Sequence, residues 1–174
     1  MDMKARGCLV SRHISTNDVS VAVRPIALSS EQTKLYDAAC DLFANRYSSH
    51  VQLFYSHLLV SFKVDTAIEE ASRRLRSGYS VVFCLQHTGR SCLSRGSASP
   101  CDEIVKKYGG NLSPMPRNAV CRLRQAFPEL VVLDTHHSIR AFQSGTTRIG
   151  LVTKGAGVGV SLHDVGDSPR VYIV

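Results

Sequence analysis

KVDTAIEEASRRLRSGYSVVFCLQHTG, residues 63–89, decides the fold. Val64, Ala67, Ile68, Ala71 and Leu75 recur at helical spacing and draw one apolar stripe. Glu69 and Glu70 stand four residues before Arg73 and Arg74. That is the favourable order for helical ion pairs, each worth only about 0.3 kcal/mol. Gly78 suits the left-handed position just past a helix end. SVVFCLQ then follows without polar alternation, as in a strand buried on both faces. A helix that feeds a doubly buried strand is the repeating unit of an α/β protein.

The same alternation continues downstream. ELVVLD (129–134), RIGLVT (148–153) and RVYIV (170–174) read as further strands. CDEIVKKYGG (101–110), RNAVCRLRQAF (117–127) and HHSIRAFQSG (136–145) read as short helices. HTGRSCLSRGSASPCDEI (87–104) is a loop rich in Ser and Gly. Upstream, Ser29 and Gln32 form a capping box that opens a helix with Leu35, Ala38, Ala39, Leu42 and Phe43 on its apolar face. A second helix is expected over about 48–61, a short one in DMKARGCLVSRHI, and a strand at Val19, Val21 and Val23 that Pro25 ends. The expected fold class is α/β, a mostly parallel sheet flanked by helices over 63–174, with an N-terminal helical and strand extension over 1–62. No internal repeat is visible.

Composition sets the bounds. The chain has 174 residues, enough for one domain with a real core. With 44% hydrophobic and 20% charged residues it is globular rather than disordered. Lys and Arg number 21 against 14 Asp and Glu, so the net charge is +7. That excess suggests an anionic partner, most often nucleic acid, with a solvated basic surface as an almost equally common alternative. The six cysteines (Cys8, Cys40, Cys84, Cys92, Cys101, Cys121) are scattered singly, without the C-x-x-C spacing of a zinc site or redox pair. Cys84, inside a strand, acts as a small hydrophobe. A reducing, intracellular setting is expected. MDMKARGCLVSRH lacks the apolar core of a leader. VQLFYSHLLVSF is interrupted by Gln52, Ser56, His57 and Ser61 and is too short to span a bilayer, so no membrane partner is expected.

Three stretches carry candidate chemistry. LVTKGAGVGVSLHD (151–164) sets glycines at 155, 157 and 159 after a strand. A dinucleotide fingerprint G-x-G-x-x-G would need its third glycine one residue later and a helix behind it; VSLHDVGDSP is too short and rich in turns. A plain glycine turn is the alternative. The phosphate loop G-x-x-x-x-G-K-[ST] is absent. Asp134, His136 and His137 end VVLDTHH, where α/β sheets place ligands, yet no ligand-spaced carboxylate or Cys–His set accompanies them, which favours a loop pair. In QHTGRS, His87 and Arg90 leave a strand end with the amide of Gln86 and the hydroxyl of Thr88, groups that suit hydrogen bonds to a phosphate backbone; a polar turn is the equal alternative. Arg73/Arg74/Arg76 and Arg117/Arg122/Arg124 read as solvated helix faces.

Taken in order, SVVFCLQHTGRS and TTRIGLVTKGAGVGVSLHD resemble motifs IV and V of superfamily 2 helicases. With MDMKARG, YDAACDLF, FKVDTAIEEASRRLRSGYSVVFCLQHTG, CDEIVKKYGG and GVSLHD, the chain resembles the C-terminal half of strawberry-notch-type helicases and their viral and phage relatives. The resemblance covers nearly the whole chain. It implies a partial second RecA-like lobe, with ATP and Mg2+ clamped against a first lobe and nucleic acid running across both. Gln86, Thr88, Gly89, Arg90, Thr153 and Lys154 would then face the nucleic-acid backbone. Gly157, Gly159, Ser161 and Asp164 would couple that contact to ATP, Asp164 near the ribose. The phosphate loop, the acidic metal-binding motif and motif VI, Q-x-x-G-R-x-x-R, are not in the sequence. Phosphoryl transfer without them has no charge neutralisation, so this chain alone is expected to be inactive. Met1 matches an internal family position, which leads to the expectation of a fragment, a split gene or a processed product, with the first lobe on another chain. A non-catalytic nucleic-acid-binding or structural protein derived from the same fold is the alternative, and a small nucleotide-binding enzyme built on GAGVG a weaker one.

Overall fold

The computed structural model describes residues 19–44, 49–85, 119–153, 162 and 169–174. The first element, α1 (Ser30–Phe43), opens on the expected capping box: the Ser29 hydroxyl accepts from the Gln32 amide and the Gln32 side chain accepts from the Ser29 amide. Its buried face carries Leu35, Tyr36, Ala39, Leu42 and Phe43. Ala38, expected there, is exposed.

Next comes α2 (Ser49–Arg76), a single helix of 28 residues. Two helices were expected here, and the structure joins them. No Gly or Pro interrupts 49–76, so nothing in the backbone calls for a stop. Its N-terminal half, through Phe54, Leu58 and Phe62, packs with α1 around the Phe43, Tyr36 and Tyr55 rings. Its C-terminal half turns Val64, Ala67, Ile68, Ala71 and Leu75 to the sheet, the stripe read from the sequence. Gly78 follows with φ +88, the left-handed turn expected of it.

The sheet contains β1 (Ser80–Leu85), β2 (Val131–Val132), β3 (Ile149–Thr153) and β4 (Arg170–Ile173), in the spatial order β2-β3-β1-β4. All its pairings are parallel. Between the strands lie α3 (Ala119–Ala126), before β2, and α4 (His136–Gln143), before β3. This is an α/β fold consistent with a RecA-like lobe. The Val19–Val23 strand does not form: those valines are 63%, 85% and 91% exposed and join no ladder. Alternation alone cannot supply a neighbouring strand, and Pro25 lacks a donor for one.

Successive strand residues face opposite layers. Val81, Phe83, Ile149 and Leu151 meet α2 and α3 (Val64, Ala71, Ala119, Leu123). Val82, Leu133 and Val152 meet Phe142 of α4 on the other side, with Cys84, Ile139 and Leu162 packed against them. Burial raises the Cys84 thiol pKa, as befits a cysteine used as a hydrophobe. Arg122, expected on a solvated face, instead pins α3 to α2: it pairs with Asp65 and donates to the Ser61 carbonyl at 3.2 Å. Among the described residues no helix is long and apolar enough to cross a membrane.

Candidate nucleic-acid interface at the carboxyl edge of the sheet

Pairing register places the two strand ends that matter. Val81 aligns with Ile149, and so on up to Leu85 with Thr153. The chain therefore leaves β1 and β3 side by side at the same edge, about 4.8 Å apart in the ladder. Residues 86–90 continue from one end and residues 154–161 from the other.

The two exits run in opposite directions. From β1 the chain reaches β2 on the far side of β3, and α3 on that route packs with α2. From β3 it reaches β4 on the far side of β1, and Leu162 on that route packs with Val82 and Phe142 on the opposite layer. Crossovers that diverge to opposite faces open a crevice at the carboxyl ends of the strands between them, the switch point where open α/β sheets bind ligands. Here the switch point falls between Leu85 and Thr153.

A third strand end adds to the same edge. Beyond β2, the Leu133 amide donates to the Leu151 carbonyl at 2.8 Å, which carries the alignment one residue further. Asp134 follows, then Thr135, the N-cap of α4. The Thr135 hydroxyl accepts from the Ser138 amide at 3.2 Å, and the Ser138 hydroxyl accepts from the Thr135 amide at 3.1 Å. His136 and His137 are the first two residues of α4, as in the helix expected over 136–145 and unlike the loop pair weighed against a ligand role, and both are exposed. Thr135 and Ser138 are the sequence signal for this helix start; the capping box has Ser in place of the usual Glu or Gln. Among the described residues no three His, Cys, Asp or Glu side chains converge as metal ligands. The amino end of α4, with its partial positive charge, points to the edge where Thr153 ends, which favours an anionic ligand there.

Of the candidate site residues, Thr153 lies among those described, half-buried as the last residue of β3. Gln86, Thr88, Gly89, Arg90, Lys154, Gly157, Gly159, Ser161 and Asp164 lie outside the described residues. Leu85 precedes the first four of them, Thr153 precedes Lys154, and Leu162 lies between Ser161 and Asp164.

Comparison with known proteins gives one consistent set of relatives. The chain is 31% identical over 138 residues to the protein strawberry notch homolog of Caenorhabditis elegans, covering 65% of this chain and 7% of that protein. It is 29% identical over 116 residues to protein strawberry notch of Drosophila melanogaster, covering 52% and 7%. It is 25% identical over 115 residues to human protein strawberry notch homolog 1, covering 52% and 8%. No family model and no solved structure matches. The chain is thus similar to a short stretch, under a tenth, of these much longer proteins, a distant relationship to a helicase-related family.

Proposed function

We propose that the chain is part of the second RecA-like lobe of an ATP-dependent nucleic-acid helicase or translocase, and that it grips a sugar-phosphate backbone at the β1/β3 crevice. One observation carries the reading: the strand preceding QHTGR and the strand preceding KGAGVG end in register at Leu85 and Thr153, at a switch point. Similarity to strawberry notch proteins supports the same assignment. In this reading Gln86, Thr88, Gly89, Arg90, Thr153 and Lys154 hold phosphates. Gly157, Gly159, Ser161 and Asp164 transmit ATP binding, on either side of Leu162, which packs against the cluster of Val82, Leu133, Phe142 and Val152. ATP and Mg2+ belong to the assembled pair of lobes.

The test is binding of a labelled mixed-sequence oligonucleotide at several salt concentrations, for the native chain and for Arg90→Ala. Loss of one phosphate contact lowers the slope of log affinity against log salt by about 0.7 on a single strand and weakens binding to all sequences alike. An unchanged slope overturns the crevice as the binding site. ATP turnover on mixing with a first-lobe chain, and none by either alone, supports the helicase assignment over a purely binding role.

A further inference from the structure

The opposite edge of the sheet carries a different concentration of charge. Where α2 ends and β1 and β3 begin, the fold gathers arginines from three distant parts of the chain. Glu70, 18% exposed, receives Arg24 at 3.3 Å, Arg73 at 2.5 Å and Arg74 at 2.8 Å. Arg148 donates Nη2 to the Leu75 carbonyl at 3.0 Å and to the Tyr79 carbonyl at 2.8 Å, which holds its guanidinium over the helix end. Arg76, the last residue of α2, is exposed and has no partner among the described residues. Arg24, Arg73 and Arg74 thus surround Glu70, and Arg76 and Arg148 stand at the helix end beyond them; set against Glu70 and its exposed neighbour Glu69, the five guanidinium groups leave an excess of three positive charges.

A helix end accounts for part of this. Cations in the last turn meet the negative end of the helix dipole, an effect of about 0.5 kcal/mol, and that covers Arg73, Arg74 and Arg76. It does not bring Arg24 to Glu70 from 46 positions away (70 − 24), nor does it explain why every cation is Arg rather than Lys. Each guanidinium has five donors in a rigid fork. Arg24 and Arg74 each use one nitrogen on Glu70, and Arg148 uses one on carbonyls. Their remaining donors are held in place before any ligand arrives, which lowers the ordering cost of binding. The Glu70 carboxyl, drawn down to about 2 by hydrogen bonds from Arg73 and Arg74, accords with this strongly cationic setting.

We propose that the corner formed by Arg24, Arg73, Arg74, Arg76 and Arg148 is a second contact for a nucleic-acid phosphate backbone, on the edge of the sheet opposite to the Leu85–Thr153 crevice. It stands on its own geometry and does not need the helicase reading. β1 separates the two edges by about 20 Å, so the corner takes a segment of nucleic acid different from the one in the crevice.

The test uses the full chain and a fluorescein-labelled single-stranded oligonucleotide of mixed sequence, from about 50 to about 200 mM salt. Arg24→Ala with Arg76→Ala is expected to lower the salt slope by about 1.4, two contacts at about 0.7 each, and to weaken binding several-fold. Arg24→Lys with Arg76→Lys, which keeps both charges, is expected to restore the slope. A smaller folded fraction shifts every affinity equally and leaves the slope alone, so partial unfolding cannot mimic the result. A slope equal to that of the native chain overturns the proposal. So does a pair of alanines that spares oligonucleotide binding and abolishes binding of polyglutamate, which would make the corner a surface for acidic polypeptides. If Arg90→Ala leaves the slope unchanged while the corner variant lowers it, the crevice reading fails and this one stands; the reverse result separates them the other way.

Discussion

Gly150 occupies a point in β3 where the sheet leaves room for a hydrogen and little else. A Cβ built there would lie 2.5 Å from Leu133 Cδ1 and 2.9 Å from Leu133 Cγ. Leu133 is fully buried between β3 and α4, with Phe142 and Val152 around it, so it has no free direction in which to retreat. Gly150→Ala is therefore expected to destabilise the chain by about 1–3 kcal/mol, the usual range for overpacking. Urea denaturation measures it, and a variant as stable as the native chain would mean that Leu133 repacks freely. The consequence reaches the site, because Leu133 and Gly150 fix how closely β2 lies to β3 and hence where Asp134 and Thr135 stand beside Thr153.

At the scale of elements, α2 shows how charge and cap complete what the apolar stripe begins. Hydrogen bonds from Arg73 and Arg74 hold the Glu70 carboxyl at about 2, below its ordinary 4.5. A carboxylate whose folded pKa is depressed contributes stability that is fully present above its unfolded value. That contribution is lost as pH falls from about 4.5 towards about 2. Glu70→Gln removes the titration, so over that window the urea midpoint of the native chain should fall more steeply than that of the variant. Parallel curves would mean that the pairs, partly open to water, are screened to no effect. Local signals of this kind were legible in the sequence. Ser29 and Gln32 announced α1, Gly78 announced the end of α2, and the unbroken apolar run at 80–85 announced a strand buried on both faces. What the sequence hid was the continuity of α2. Phe62 faces α1 and Val64 faces the sheet, two residues and about 200° apart on a helix of 3.6 residues per turn. A stripe that changes sides looks like a helix that stops. The crevice was legible only as two suggestive strand ends; their adjacency is set by register, which depends on side chains far along the chain. Val19–Val23 erred in the other direction, since a period of two describes a strand only where a partner strand is present.

At the scale of the whole molecule, the shared helix makes two cores answer to one rod. The aromatic core holds Phe43, Phe54, Leu58 and Phe62, and the sheet core holds Val64, Ala71, Val81 and Phe83. The only chain between Phe62 and Val64 is Lys63, which is exposed. Arg122 adds one brace at the same height, from α3 to the Ser61 carbonyl and to Asp65. If α2 carries cooperativity between the cores, breaking it at Lys63 should separate them while every buried side chain remains. Proline there removes the amide that bonds four residues back and clashes with that carbonyl, at a cost of about 3 kcal/mol or more. Hydrogen exchange reads the outcome residue by residue. In the native chain the most protected amides of α1 and of β1 and β3 should open with the same free energy, as one unit. In Lys63→Pro, α1 amides should lose far more protection than those of β1 and β3, while Lys63→Ala leaves both as they were. Equal loss in the two regions would show that the brace at Arg122, or another contact between α2 and the sheet, ties the cores together in place of the helix.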